Sequence, residues 1–326
     1  MRKTILETPK QFLFEPKIFN FKKFKKFNKF LVAGMGGSNL VTDLIKIRDP
    51  SLDIISHRNY GLPPKIDDRL IIVSSYSGNT EETIDAFEKA IKNKLTVVAV
   101  STGGRLISLA KKYKVPYVLL PKVGIQPRAS LGFQTKAILK IMEREDLLVE
   151  ISELSKTLKP EEFQAKGKNL AKKLKGYLPI IYSSAKNQGI AYSWKIKFNE
   201  TGKIPAFYNV FPELNHNEMT GFDLHPKIGA RKLPSKERKK LNERFYFIFL
   251  KDKDDHPRIQ RRMEITKQLY EKKGLPVEFL EFSEKSIFHK IFSSLVLADW
   301  TAFYLAQIYG LESEKVPMIE EFKKLI

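Results

Sequence analysis

Short apolar runs that alternate with helical patterns are the feature that most constrains the fold of this chain. Four runs in the first half are rich in Val, Ile and Leu and lack polar alternation, at residues 30–33, 70–74, 95–100 and 117–120. Such runs are typical of parallel strands that helices cover on both faces. Patterns with helical spacing lie between them, at residues 39–48, 81–92 and 106–114. This alternation predicts a doubly wound α/β domain.

A second cycle of strands and helices follows in the C-terminal half. Strands are predicted at residues 178–183, 245–250 and 277–282, and helices at residues 188–199, 258–273 and 287–309. The lysine-rich residues 158–176 are expected to hold the link and a helix, and the charged residues 232–244 an exposed excursion. Because 326 residues suit two domains of about 150 residues each, we expect two tandem α/β subdomains, at residues 1–150 and 151–326.

The composition limits the chemistry and the partners. The chain has no cysteine, which excludes disulfides, thiolate catalysis and cysteine-ligated metals, and fits a cytoplasmic setting. Its 58 Lys and Arg against 37 Asp and Glu give a net charge of +21. This balance favours anionic partners, either phosphorylated metabolites or nucleic acid, although a solvated lysine-rich surface gives the same count. Neither a membrane-spanning run nor a secretory signal is evident, so no membrane association is expected.

A basic stripe at residues 21–30 is the clearest local charge run. Phenylalanines recur there at every third residue, with lysines between them. As a helix, this spacing gives one apolar face. We interpret it as a face that packs on the domain that follows, with a membrane-surface or nucleic-acid helix as the alternative.

The segment S-Y-S-G-N-T at residues 75–80 has the chemistry of a phosphate cradle. Ser75, Ser77 and Thr80 offer three hydroxyl groups, and Gly78 allows a tight backbone turn. The helix predicted to begin at residue 81 adds free N–H groups and the positive end of its dipole. Helix capping alone would explain Thr80 but not the other two hydroxyls and the glycine. We therefore predict that this loop binds a phosphate group.

A second loop, G-M-G-G-S at residues 34–38, follows the first predicted strand. It lacks the lysine of a nucleoside-triphosphate loop and the full G-x-G-x-x-G spacing of a dinucleotide site. Its glycines let the backbone approach a ligand closely. Gly37 and Ser38 are therefore candidate substrate-binding residues that share the work of the phosphate loop.

Five segments of the chain together carry a specific signal. They are G-M-G-G-S-N at 34–39, S-Y-S-G-N-T-E-E-T at 75–83, Q-P-R-A-S-L-G-F at 126–133, F-N-E at 198–200 and F-Y-N-V-F-P-E-L-N-H-N-E at 207–218. In this order they resemble the sugar isomerase domain and, more narrowly, the bifunctional phosphoglucose/phosphomannose isomerases. The resemblance spans nearly the whole chain and implies two tandem doubly wound sugar-isomerase-type subdomains. It also implies interconversion of glucose 6-phosphate, and of mannose 6-phosphate, with fructose 6-phosphate through a cis-enediol. Neither a metal nor another cofactor is implied.

The resemblance assigns roles to two residues of the C-terminal half. Glu200 matches the general base that moves a proton between C1 and C2, although from the residue alone it would be an exposed helix-end glutamate. His216 matches the histidine that opens the sugar ring, although from the residue alone it would be a histidine on a surface loop. In the family this histidine reaches the active site of the neighbouring subunit. The resemblance therefore implies a homodimer with composite sites.

Two further cations match the family's pattern. Arg128 falls on the arginine that stabilises the enediolate oxygens. Lys323, next to Lys324 in the C-terminal helix, resembles the late lysine near the sugar oxygens. One departure stands close by: Val316 precedes Pro317 where many family members carry a threonine linked to accepting the mannose epimer. This departure bears on the mannose activity and leaves the glucose activity as expected.

Alternatives from other classes stay open at this point. A zinc-dependent phosphomannose isomerase would need a histidine and carboxylate cluster, and candidates close in sequence are Glu213, His216, Glu218, Asp223 and His225. A sugar-phosphate sensor that regulates transcription without catalysis would fit the net charge. About 29 residues precede the first predicted strand, too few for a helix-turn-helix domain. An aminosugar synthase would need a glutamine-hydrolysing domain with a nucleophilic cysteine.

Overall fold

Two α/β units make up the chain in the computed structural model, which describes residues 1–20, 26–223, 242–282, 284 and 286–325. The N-terminal unit comprises Lys3–Pro160 and Ile287–His289, and the C-terminal unit comprises Met1–Arg2, Glu161–Ser286 and Lys290–Ile326. The two units divide at Pro160. The Glu145–Ser152 helix, which contains the predicted boundary at residue 150, therefore lies entirely within the N-terminal unit. The predicted α/β class is confirmed.

The N-terminal unit is built on a six-stranded sheet. Its strands are β1 Ile18–Phe19, β2 Lys29–Ala33, β3 Asp53–His57, β4 Leu70–Ser74, β5 Val97–Ser101 and β6 Tyr117–Leu119. The spatial order is β1-β6-β5-β4-β2-β3, and every pair is parallel except β1 with β6. The four predicted strands are confirmed. β3 was missed because this edge strand is only partly buried and its D-I-I-S-H sequence lacks a continuous apolar run.

Helices of the N-terminal unit follow the predicted alternation. Their bounds are Gly37–Arg48, Glu81–Lys92, Gly104–Lys112, Leu131–Ile141, Glu145–Ser152 and the single turn Leu154–Thr157; a short helix at Arg2–Leu6 precedes them. Ile84 and Phe87 of the Glu81–Lys92 helix pack with Ile71 and Val73 of β4 in one buried cluster. Full burial of a Phe or Ile side chain contributes about 2 kcal/mol. The apolar face predicted for the Glu81–Lys92 helix thus packs against the sheet in the core.

The C-terminal unit contains a four-stranded parallel sheet. Its strands are β7 Leu178–Ser184, β8 Phe207–Phe211, β9 Phe245–Asp252 and β10 Val277–Phe282, in the order β10-β9-β7-β8. The helices are Gln164–Leu174, Gln188–Lys197, Pro257–Lys272, Ile287–Ile308 and Pro317–Leu325. β8 was missed for the same reason as β3: it is an edge strand with a partly exposed pattern. The other predicted elements lie where expected, within a few residues at their ends.

The Ile287–Ile308 helix is, among the described residues, the one helix long and apolar enough to cross a membrane by length and composition. Its most apolar window is 78% buried inside the structure. Trp300 of this helix lies so close to Gly167 that a Cβ at Gly167 would come within 2.5 Å of the Cβ of Trp300. The burial is that of a core helix.

Parts of two predictions lie outside the described residues. Residues 21–25 of the basic stripe and residues 232–241 of the charged excursion belong to these parts. At the end of the stripe, Phe30 lies in β2 and is buried, so a helix throughout residues 21–30 is wrong for its last residues. Phe30 adopts strand rather than helix conformation because it pairs with Leu70 of β4 in the sheet.

Candidate active site

The order of the first sheet defines where a ligand would bind. The chain runs from β2 outward to β3 and then returns to the other side of β2 with β4. In open α/β sheets, ligands bind outside the carboxyl ends of the strands at such a switch point. The two loops that leave it follow β2 and β4, and they are the glycine loop at 34–38 and the hydroxyl loop at 75–80.

Three hydroxyl groups meet in the loop after β4. The Oγ atom of Ser75 lies 2.8 Å from Oγ1 of Thr80 and 3.5 Å from Oγ of Ser77. The backbone N–H of Gly78 donates to the same Ser75 Oγ at 3.1 Å. The structure therefore brings the predicted phosphate-binding side chains together at the start of the Glu81–Lys92 helix.

Thr80 does not act as an ordinary helix cap. It occupies the N-cap position of the Glu81–Lys92 helix, yet its side chain makes no capping hydrogen bond to that helix. Its hydroxyl faces Ser75 instead. Capping therefore does not account for the threonine, and the first turn of a helix is where backbone amides and the macrodipole favour an anion.

Gly78 fixes the shape of the hydroxyl loop. It adopts φ +75°, and a Cβ at this position would lie 1.9 Å from the carbonyl oxygen of Gly103. The next residue, Asn79, accepts a hydrogen bond at its Oδ1 from the backbone N–H of Arg105 at 2.9 Å. The loop after β4 thus packs on the loop after β5, which leaves no room for a side chain at residue 78.

Ser38 and Arg128 are brought to the same edge of the sheet. The backbone N–H of Tyr76 donates to Ser38 Oγ at 2.9 Å, which joins the glycine loop to the hydroxyl loop. A Cβ on Gly37 would lie 2.7 Å from the carbonyl of Pro127 and 2.9 Å from the N atom of Arg128. Three loops therefore converge there, and glycine is required at residue 37 for the closest approach.

The electrostatics of this edge suit an anion. Arg128 is 2% exposed, and a charge so deeply buried must be held by surrounding groups. Burial raises the pKa of Tyr76, which lies in the hydroxyl loop, to about 12. Its phenol therefore stays protonated at neutral pH. The loop thus contributes no negative charge that would repel a phosphate dianion.

Glu200 lies in a π-helical turn, Phe198–Gly202, that continues the Gln188–Lys197 helix. The α-helix was predicted to run to residue 199 and ends two residues earlier. The buried rings of Trp194 and Phe198 pack edge to face at 5.5 Å, and the ammonium of Lys203 donates to the Glu200 carbonyl at 2.7 Å. π-Turns are frequent at functional sites. The half-buried Glu200 is thus set on a well-anchored turn.

A buried ion pair anchors the same helix. Lys197 Nζ lies 2.7 and 2.8 Å from the two carboxylate oxygens of Asp299 on the Ile287–Ile308 helix. Both side chains are almost fully buried. No sequence pattern indicated this pair, because a lysine and an aspartate 102 positions apart carry no local signal.

His216 and Lys323 lie on two other elements of the C-terminal unit. His216 ends the short 3₁₀ helix Glu213–His216 and is exposed. Lys323 and Lys324 lie in the Pro317–Leu325 helix, which has no buried residue in the part of the chain that the structure describes. The residues of the N-terminal unit that are predicted to bind substrate thus lie together, whereas Glu200, His216 and Lys323 are distributed over three elements of the C-terminal unit.

The candidate zinc cluster does not form within the described residues. There, no group of three or more His, Asp or Glu side chains has the geometry to hold a metal ion. His225, a member of the candidate set, lies outside that part of the chain. Glu218 of the set instead accepts hydrogen bonds from the hydroxyl of Tyr182 and the amide of Asn209.

The second sheet has its own switch point, between β7 and β9. Here the chain's own side chains fill the edge. Ser184 Oγ donates to Asp255 Oδ1 at 2.6 Å, and Asn187 Nδ2 donates to Asp252 Oδ2 at 3.1 Å. Lys290 Nζ donates to Asp252 Oδ1 at 2.5 Å. Carboxylates thus occupy the position that a phosphate would take, and this edge is not a second anion site.

Burial and pairing act in opposite directions on the two carboxylates. Burial raises the pKa of Asp255, and the Ser184 hydrogen bond only partly offsets it. Burial also opposes ionisation of Asp252, but hydrogen bonds from Lys290, the Asp254 backbone and Asn187 hold its pKa below the usual value. The Asp252–Lys290 pair is therefore ionised and mutually dependent.

The parallel sheets and the hydroxyl loop at the first switch point define the class of sugar isomerase (SIS) folds. Among solved structures, the C-terminal domain of glucosamine-fructose-6-phosphate aminotransferase from Francisella tularensis superposes with a TM-score of 0.66 at 14% identity. The match covers 96% of this chain and 97% of that one. At this identity the likeness shows the fold alone.

Sequence comparison narrows the class to one family. Residues 163–326 match the family described as bacterial phospho-glucose isomerase C-terminal SIS domain. The chain is 32% identical over 305 residues to the bifunctional phosphoglucose/phosphomannose isomerase of Aquifex aeolicus, covering 91% of this chain and 90% of the relative. It is 33% identical over 319 residues to that of Caldicellulosiruptor bescii, covering 92% and 90%. The chain therefore belongs to the bifunctional phosphoglucose/phosphomannose isomerase family, which confirms the resemblance.

Proposed function

We propose that this chain is an aldose–ketose isomerase that interconverts fructose 6-phosphate with glucose 6-phosphate and with mannose 6-phosphate. The observation that carries the proposal is the cluster of Ser75, Ser77 and Thr80 hydroxyls at a helix start, with Ser38 joined to it. It occurs in a chain similar over nine-tenths of its length to relatives named for this activity. Hydroxyls and helix amides suit a phosphomonoester that must bind and leave reversibly.

Glu200 is the proposed general base. Its carboxylate takes the proton from C2 of the open aldose and returns it to C1, while the hydroxyl proton moves between O2 and O1 through a cis-enediol. Arg128 is proposed to stabilise the negative charge that develops on the enediolate oxygens. A buried guanidinium is pre-organised for this task, because its position is fixed before the charge forms.

His216 is the proposed ring-opening acid and base, which passes a proton between O1 and the ring oxygen. We propose a homodimer in which each site is completed by the partner subunit's His216. The exposure of His216 on its own subunit supports this arrangement, because the imidazole is accessible to a second copy. Lys323 is proposed to contact the sugar oxygens from the exposed C-terminal helix.

The proposed division of labour follows the two subdomains. Residues 1–150 hold the phosphate group, and residues 151–326 supply the base, the histidine and the C-terminal lysine. The proposed reaction needs no metal and no other cofactor, and its substrates are intermediates of central hexose phosphate metabolism, glycolysis and gluconeogenesis. We propose a cytoplasmic enzyme with no nucleic-acid or membrane partner.

A coupled assay tests this proposal. The purified chain should convert fructose 6-phosphate to glucose 6-phosphate in the presence of EDTA, and Glu200→Gln should lower kcat by at least about a thousandfold. The control is Glu153→Gln, which changes another helix-end glutamate, at the C-cap of the Glu145–Ser152 helix. Near-normal activity of Glu200→Gln would show that Glu200 is not the base. Loss of activity in EDTA with recovery on zinc would overturn the metal-free reaction.

A further inference from the structure

His216 sits in a segment whose position depends on side-chain contacts. Two short 3₁₀ turns, Glu213–His216 and Glu218–Phe222, follow β8. Neither has the hydrogen-bond ladder of a strand or a long helix. The exposed imidazole of His216 is therefore placed by what holds its neighbours.

Glu218 is held by a cross-strand pair. The Tyr182 hydroxyl donates to Glu218 Oε1, and Asn209 Nδ2 donates to Glu218 Oε2. Tyr182 on β7 and Asn209 on β8 are direct partners in the sheet register, so their side chains project from the same face. The two oxygens of one carboxylate are thus tied to two neighbouring strands, and hydrogen bonds to a charged acceptor are the stronger kind.

Tyr182 is a fixed donor. It is 0% exposed, and the rings of Phe211, Phe247 and Phe249 surround it at centroid distances of 5.8, 5.5 and 5.2 Å. Burial raises the pKa of Tyr182 above its ordinary value. Its hydroxyl proton is therefore retained at any physiological pH and is available to Glu218.

The other flank of His216 is anchored as well. Asn215 Nδ2 donates to Thr266 Oγ1 at 2.9 Å, and Arg262 donates to Asn215 Oδ1 at 3.3 Å. Both partners lie on the Pro257–Lys272 helix. Leu214, one residue earlier, is fully buried. His216 is thus bracketed by a residue tied to a helix and a residue tied to the sheet.

We propose that Glu218, clamped by Tyr182 and Asn209, is a positioning residue that sets the placement of His216 for proton transfer. The inference rests on the proposed role of His216 in the isomerase. A misplacement of a catalytic group by about 1 Å can cost about a hundredfold in rate. The clamp therefore affects the chemical step more than substrate binding, because its members hold the histidine and not the sugar.

The sharpest probe is Tyr182→Phe, which removes one hydroxyl and keeps the ring in its aromatic pocket. We expect kcat for fructose 6-phosphate to fall about 10- to 100-fold, with KM within about twofold of wild type. Tyr246→Phe is the matched control. Tyr246, on the neighbouring strand β9, is also a buried tyrosine, and its hydroxyl donates to Glu278 of β10 at 3.1 Å. Its kcat should equal that of wild type.

A double-mutant cycle separates positioning from a merely structural effect. If Tyr182 acts through His216, the double variant Tyr182→Phe/His216→Ala should be no slower than His216→Ala alone. Glu218→Gln and Glu218→Ala repeat the test on a half-buried residue should Tyr182→Phe fail to fold. The glutamine keeps an acceptor for the Tyr182 hydroxyl, so it should retain more of kcat than the alanine.

The outcomes distinguish this inference from the proposed function. An active wild type in which the Tyr182 and His216 losses multiply would overturn the positioning role alone. Equal activity of Glu218→Ala and wild type would overturn it too. A wild type without isomerase activity would refute the proposed function and the inference with it.

Discussion

The most specific prediction about the hydroxyl loop concerns a substitution at Gly78. Gly78→Ala introduces one methyl group at a residue with φ +75°, where the new Cβ would lie 1.9 Å from the carbonyl oxygen of Gly103. That oxygen belongs to the backbone and also accepts a hydrogen bond from the Ser101 hydroxyl at 2.9 Å. It cannot rotate away, so the hydroxyl loop itself must shift.

The expected magnitude has two parts. A left-handed backbone costs an alanine about 1 kcal/mol relative to glycine. Relief of the clash adds local strain of about 2 kcal/mol. If the loop moves to relieve it, phosphate affinity should fall by about 3 kcal/mol, or roughly a hundredfold. Gly274→Ala is the control, because Gly274 has φ +77° but a Cβ there would meet nothing within 4 Å.

Phosphate affinity can be measured directly by calorimetry with inorganic phosphate, and loop placement by the KM for fructose 6-phosphate. Gly78→Ala should weaken both, whereas Gly274→Ala should lower only the free energy of unfolding, by about 1 kcal/mol. Equal phosphate affinity in Gly78→Ala and Gly274→Ala would refute the assignment of this loop as the phosphate cradle.

Three further predictions concern the C-terminal unit. Removing residues 317–326 should leave the thermal midpoint nearly unchanged, because the Pro317–Leu325 helix buries no described residue, but should lower kcat; full activity would exclude Lys323 from the site. Lys290→Met should cost about 3–5 kcal/mol in urea denaturation by leaving Asp252 charged and buried, and a cost below about 1 kcal/mol would contradict the pairing. Burial raises the pKa of Asp255, so its contribution is lost as pH rises through that pKa. Asp255→Asn should therefore gain stability over wild type as pH rises above about 4, the ordinary pKa of an unfolded aspartate, and a constant difference would contradict the shift.

Much of the fold could be predicted because its central strands, such as β2, β4 and β5, are buried along almost their whole length. β4 begins and ends at the predicted residues, because it is an apolar run that is buried throughout. β10 also begins and ends as predicted, although it is an edge strand that carries Glu278 and Glu281, because three of its apolar residues are buried. β3 and β8 were missed because each is an edge strand in which only one of five residues is buried. The sequence pattern of a strand reflects the burial of its side chains, and the prediction fails where few residues of the strand are buried.

The candidate site also has a part that could be predicted from the sequence and a part that could not. Ser75, Ser77 and Thr80 are close in sequence, so their convergence could be predicted from one loop and one helix start. The Lys197–Asp299 pair and the clamp on Glu218 join residues far apart in the chain. Such contacts depend on how strands and helices pack, which no local pattern encodes.

The most direct test of the central claim is isomerisation of fructose 6-phosphate in D₂O, followed by NMR of the sugar phosphates. Proton transfer through an enediol predicts formation of glucose 6-phosphate and mannose 6-phosphate that carry solvent deuterium at C2, and Glu200→Gln should show neither product. Product formation without any deuterium at C2, or deuterium exchange undiminished in Glu200→Gln, would contradict the claim that Glu200 moves the proton.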